Sequence, residues 1–85
     1  MRAKAPPPID ETELARCVRR AVDNYIRDLD GERPGPIYDM VVQAVERPLI
    51  EMILAYSGGN QTIAAEALGM NRNTLRKKLK AHGLL

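Results

Sequence analysis

The chain has 85 residues, which bounds it to a single small domain, and with no Trp, no Phe and three Tyr any core is built from Leu, Ile, Val, Met and Ala. Lone Cys17 permits neither an internal disulfide nor a zinc site, and no segment reads as a secretory signal or a membrane span, so a reducing cytoplasm is the natural compartment. The net charge of +2 conceals a division: up to Met70 there are eight Lys/Arg against eleven Asp/Glu, whereas Asn71 onward holds five Lys/Arg and no acid, a single-sign face suited to a polyanion.

Residues 1–9, with Pro6-Pro7-Pro8 in a row, read as a flexible Pro-rich tail. A long helix is predicted from Asp10, where Asp10-x-x-Glu13 has the form of a capping box. Leu14, Val18, Ala21, Val22, Tyr25, Ile26 and Leu29 give it one apolar stripe, with Cys17 beside the stripe as a small core residue. Asp30-Gly31 ends this helix, and Glu32-Arg33-Pro34-Gly35-Pro36 is a loop.

A second long helix is predicted over Ile37–Ser57. Pro48 lies in its middle, where it removes one hydrogen bond and crowds the preceding turn. Two helices or one kinked helix could result. Tyr38, Val41, Val42, Val45, Leu49, Met52, Ile53 and Tyr56 stay in phase straight through Pro48, which selects one kinked helix. Ser57-Gly58-Gly59 ends it.

The last quarter of the chain has the layout of a helix-turn-helix. Asn60 caps a short helix bearing Ile63, Ala64, Ala67 and Leu68 at helical spacing, and small Ala65 permits a close crossing. Gly69 takes the connection, Met70 re-enters the core, and Asn71 caps a second helix whose Leu75 and Leu79 lie i, i+4 on one face. That second helix carries Arg72, Arg76, Lys77, Lys78 and Lys80. Counting from Leu75, positions 73, 76, 77 and 80 face outward, and Lys78 sits on the flank within reach.

Arg72 suits guanine O6 and N7, and Asn71 suits adenine. Gln61 and Thr62 stand in a first helical turn, where free amides and hydroxyls grip phosphate, or else merely support the cap. His82 reads as a surface or C-capping residue. One His, one Cys, no carboxylate cluster near them and no Gly-rich phosphate loop after a strand argue against an enzyme, so no cofactor, metal or small-molecule substrate is expected. The fold class is all-α: two long core and dimerisation helices (10–57) followed by the helix-turn-helix (60–85). The long pair exceeds what a monomer needs, so an intertwined twofold homodimer is expected, against a monomeric four-helix alternative.

Over residues 10–85 the chain resembles the Fis family of bacterial nucleoid-associated, DNA-bending proteins. The match rests on Gly59-Asn60-Gln61-Thr62, Ala64-Ala65, Gly69-Met70-Asn71-Arg72, Thr74-Leu75-Arg76-Lys77-Lys78-Leu79-Lys80 and Gly83, and upstream on Asn24-Tyr25, Tyr38-Asp39 and Glu46-Arg47-Pro48-Leu49. NtrC-type activators end in a related helix-turn-helix, but the upstream matches and the start at Met1 favour a stand-alone protein. The resemblance implies a homodimer that binds double-stranded DNA with low sequence discrimination, bends it, and serves as a nucleoid-associated transcriptional regulator. RNA polymerase or other transcription proteins are candidate further partners. It places Asn71 and Arg72 on base edges, and Asn60, Thr62, Thr74, Arg76, Lys77 and Lys78 on the phosphate backbone. Asn73 and Lys80 complete the candidate DNA-binding set through their outward positions. Gly58, Asn73 and Ala81 depart from the familiar Arg, Gly and Lys, and the family's N-terminal arms are largely missing, so recombinase stimulation is not expected. A helical protein-interaction module with a basic face is the alternative of another class.

Overall fold

A computed structural model describes residues 8–85, the side chain of Glu11 excepted. Among these residues all regular structure is helical: α1 (Glu11–Leu29), α2 (Ile37–Tyr56), α3 (Gln61–Leu68) and α4 (Arg72–Ala81). The tail expected over residues 1–9 lies, for residues 1–7, outside the described residues. The chain divides into two compact units, one ending at Ile37 and one spanning Tyr38–Leu85.

In the first unit, Asp10 adopts extended backbone and its Oδ1 accepts the amides of Thr12 at 2.9 Å and Glu13 at 3.2 Å. Those amides have no partner inside the helix, so the cap starts α1 at this point. The apolar stripe is only partly covered: Val22, Tyr25 and Leu29 are half-buried, while Leu14, Val18 and Ile26 are exposed. Cys17 is exposed as well, contrary to its reading as a core residue. A single amphipathic helix and a short loop offer that flank no second layer. The helix ends at Asp30, which itself takes the left-handed conformation ahead of Gly31. The Gly35 amide then donates to the Tyr25 hydroxyl at 2.9 Å, closing the proline loop onto α1.

In the second unit, α2 runs unbroken through Pro48. Proline leaves the carbonyl of Ala44 without its usual donor, but Ala44 and Pro48 are both on the exposed side, where solvent can serve instead. The helix has two apolar faces about a quarter turn apart. One bears Ile50, 1% exposed, with Ile53 and Leu54. Together with Ala64 and Ala65 of α3 and Leu75 and Leu79 of α4, these make the core, and Leu68, Met70 and Leu84 pack around it. Burying a leucine completely is worth about 1.5–3 kcal/mol, so Leu75 and Leu79 carry much of the attachment of α4. The other face bears Tyr38, Val42, Val45, Leu49, Met52 and Tyr56, all exposed.

α3 buries Ala64 and the small Ala65 expected at a close crossing, but not every apolar residue of its helical spacing turns inward. Ala64 and Ala65 are buried and Leu68 half-buried, while Ile63 and Ala67 are exposed. Two alanines allow the closest approach of the α3 backbone to its neighbours, and a bulkier Ile63 at the seam would hold the helices apart.

Three helices in this unit end in the same closure. Gly59 donates to Leu54 O at 2.9 Å, Met70 to Ala65 O at 2.9 Å and Leu84 to Leu79 O at 2.8 Å, each with a second bond from the preceding glycine. This is the Schellman arrangement, which satisfies the last carbonyls of a helix and reverses the chain at once. At Gly69, between α3 and α4, the backbone has φ 74°, a conformation that costs a side-chain-bearing residue about 1–2 kcal/mol.

Candidate nucleic-acid interface

The candidate site is built from the N-terminal turns of two helices and one face of the second. At α3, Asn60 is in extended backbone and its Oδ1 accepts the Ile63 amide at 3.0 Å. Thr62 is exposed in the first turn. Gln61 is half-buried, and its Oε1 is buried without a partner among the described residues, as is Ser57 Oγ in the preceding turn. The carbonyl end of Gln61 is thus withdrawn from the surface that Thr62 presents.

At α4, Asn71 is in extended backbone and its Oδ1 accepts the Asn73 amide at 2.7 Å. Arg72, Asn73, Thr74, Arg76, Lys77 and Lys80 are exposed, while Leu75 and Leu79 are fully buried. The helix therefore has one apolar seam and an outward face of cations and short polar groups. Among the described residues Arg72, Arg76, Lys77 and Lys80 form no ion pair. Their charge is directed at solvent.

Lys78 differs from the others. Its Nζ lies 2.8 Å from Glu46 Oε2 on α2, and the Glu46 carboxylate meets His82 Nε2 at 2.8 Å through its other oxygen. Arg47 donates to the His82 carbonyl from the same turn of α2. His82 is the C-cap of α4, but its side chain is 6% exposed and not a surface group. The Lys78 hydrogen bond, and after it that of His82, holds the Glu46 carboxyl below the usual carboxylate range, with partial burial opposing them. This cluster fastens the C-terminal end of α4 to α2, while Ile50 and the leucines fasten its middle.

Sequence spacing brought Asn71, Arg72, Asn73, Thr74, Arg76, Lys77 and Lys80 to one helix, and the structure places them on its exposed surface. It also reveals residues that spacing did not single out. Ile50 lies off the predicted stripe, and Glu46 pairs with residues 32 and 36 positions away. No local pattern marks such long-range partners; Glu46-Arg47-Pro48-Leu49 stood out only as part of the family resemblance.

A family model described as bacterial regulatory protein, Fis family, matches residues 41–82. The chain is 58% identical over 72 residues to a Fis-like DNA-binding protein of Ralstonia nicotianae, covering 85% of this chain and 94% of that one. It is 48% identical over 73 residues to a Fis-like DNA-binding protein of Neisseria meningitidis serogroup A, covering 86% and 92%. It is 49% identical over 71 residues to the DNA-binding protein Fis of Glaesserella parasuis, covering 84% and 72%. Identity at this level extends well upstream of α3, across helices that a shared helix-turn-helix alone would not match. The chain belongs to the Fis family of bacterial regulatory proteins.

Proposed function

We propose that this protein is a DNA-binding transcriptional regulator that works as a homodimer in the cytoplasm, on the nucleoid, and bends the duplex it binds. The observation that carries this reading is α4: a helix whose seam is fully buried and whose outward face joins Arg72, Asn73, Thr74, Arg76, Lys77 and Lys80 without one acid. A helix of that width fits the major groove, with its first residues on base edges and later ones on phosphates. Asn60 and Thr62 support it from the start of α3, where free amides favour an anion. The names of the relatives, as DNA-binding proteins, point the same way. No catalytic step is part of this proposal.

Dimerisation is supported by the second apolar face of α2. Tyr38, Met52 and Tyr56 are 79%, 72% and 82% exposed, and Val41, Val42, Val45 and Leu49, with Glu46, line a shallow groove on the same helix. A row of this length on one helix face is costly in water and is covered by a second copy. Bending follows from rigidity. α4 is held to α2 by a buried core, by the Glu46 cluster and by the closed turn at Gly58–Gly59, so the two recognition helices of a dimer cannot adjust their spacing freely. The duplex adapts instead, at a cost of order 1–6 kcal/mol for a site of 20–30 base pairs.

Gel mobility on circularly permuted duplexes tests the reading, with mobility expected to depend on the position of the site. Arg76, Lys77 and Lys80 from two copies imply about six neutralised phosphates and a log–log salt slope near −5. A slope near zero would transfer the basic face to an acidic protein partner. Mobility independent of site position would leave binding but remove the bend.

A further inference from the structure

His82 is the only histidine in the chain, and its side chain is nearly buried against α2 at the C-cap of α4. Its Nε2 lies 2.8 Å from Glu46 Oε1, and because a carboxylate accepts and cannot donate, that nitrogen carries the proton. In the neutral ring Nδ1 is then bare. It makes no hydrogen bond among the described residues and is not shut away from water, so it can take a second proton. The other oxygen of Glu46 meets Lys78 Nζ at 2.8 Å, so an imidazole and an ammonium share one carboxylate. Arg47 donates to the His82 carbonyl and has Glu51 beside it at 3.6 Å. Among the described residues, Glu46 and Arg47 from α2 and Lys78 from α4 are the charged groups that face this ring.

The charge balance decides what a proton on His82 does. With the ring neutral, Glu46 and Lys78 cancel. A protonated ring sets two cations on one carboxylate, in a place only partly open to water, where screening is weak. Lys78 is the member able to relieve this: its side chain is 35% exposed, against 18% for Glu46 and 6% for His82, and its stem is four flexible carbons long. It stands on the flank of α4, next in the chain to the outward-facing Lys77, so an ammonium that leaves Glu46 comes free beside the phosphates that Lys77 would take. Glu46 itself stays ionised in mild acid, because Lys78 first and His82 second hold its carboxyl below the usual carboxylate range.

We propose that His82 is a positioning residue whose protonation releases Lys78 from Glu46 to the DNA backbone, so that the duplex is held by more phosphate contacts in mild acid than at neutral pH. This rests on the proposed role of α4 as a recognition helix. Duplex affinity of the full chain, measured against salt at about pH 5.5 and about pH 7.5, on either side of the ordinary imidazole range, tests it. One further phosphate per subunit steepens the log–log slope of a dimer by about 2, so acidification should move the parent from about −5 to about −7 and tighten binding. His82→Gln keeps a donor for Glu46 but takes no proton, and should lose the steepening. Lys78→Met removes the ammonium that is released and should lose it too, which keeps the test open if circular dichroism shows the His82 variant unfolded. Glu46→Gln leaves Lys78 unheld and should show the steeper slope at both pH values. A parent slope that does not change with pH, or steepening that survives in His82→Gln or in Lys78→Met, overturns the proposal. Failure to retain any duplex at low salt at either pH removes the recognition-helix reading and this role with it, an outcome distinct from binding with a fixed slope.

Discussion

At the scale of single residues, Glu46 and Arg72 illustrate two uses of charge. Glu46 has its carboxyl held low by Lys78 first and His82 second, so its contribution to stability is present above the unfolded carboxylate pKa, about 4.3. That contribution is lost as pH falls through the lower value of the folded state. Glu46→Gln should therefore cost about 1–2 kcal/mol at pH 7, measured by urea denaturation, and the deficit should shrink near pH 3. An equal deficit at both pH values would mean that the carboxylate charge plays no part. Lys78 is engaged by Glu46, so its charge is less available to a phosphate than those of Arg76, Lys77 and Lys80. Arg72 is exposed and makes no ion pair among the described residues, so its removal should leave the fold intact. Arg72→Ala should weaken specific binding by about 1–3 kcal/mol and relax preference at one guanine per half-site, read by competition gel shift. Unchanged preference would take Arg72 off the bases.

At the scale of elements, α2 is the helix onto which α3 and α4 pack. Its Ile50 face holds the helix-turn-helix and the neighbouring apolar face presents the exposed row of Tyr38, Val45, Leu49, Met52 and Tyr56. Pro48 sits on the solvent side, at a position where helix propensity alone disfavours it by about 3 kcal/mol relative to alanine. Pro48→Ala should thus leave a folded helical protein at least as stable as the parent by thermal denaturation. The consequence should appear in geometry: a straighter α2 changes the direction in which α4 is presented, and the apparent bend angle shifts by more than stability does. Global unfolding of this variant would contradict the reading of a single helix in phase across the proline.

At the scale of the whole molecule, the exposed row on α2 is what the proposed second copy would cover. Replacing Val45 and Leu49 together with Asp puts two charges into that surface, far from the core around Ile50. The double variant should sediment as a monomer, retain its helical content, and bind half-sites weakly with no bending. The parent protein should show a melting temperature that rises with concentration, as expected when association and folding are linked. A parent that sediments as a monomer at high concentration, with a concentration-independent melting temperature, would remove the dimer and the bend together.

Much of this protein is set by its sequence alone. Periodicity located α1 and α2, carried α2 across Pro48, and marked Leu75 and Leu79 as the seam of α4, because those signals are local and repeat every three or four residues. Asp10, Asn60 and Asn71 announced the starts of three helices, and Gly69 the turn between the last two, because caps and left-handed turns admit few residue types. The basic face was legible as a run of one sign. Tertiary structure alone decided which of the two apolar faces of α2 meets α3 and α4, since both are apolar and only packing tells them apart. It also left Ile63 exposed although it shares the helical spacing of Ala64 and Leu68, because helix separation, not hydrophobicity, chooses the residue at a close crossing. And it drew Lys78 and His82 onto Glu46, a pairing between distant segments that exists only once α2 and α4 lie side by side.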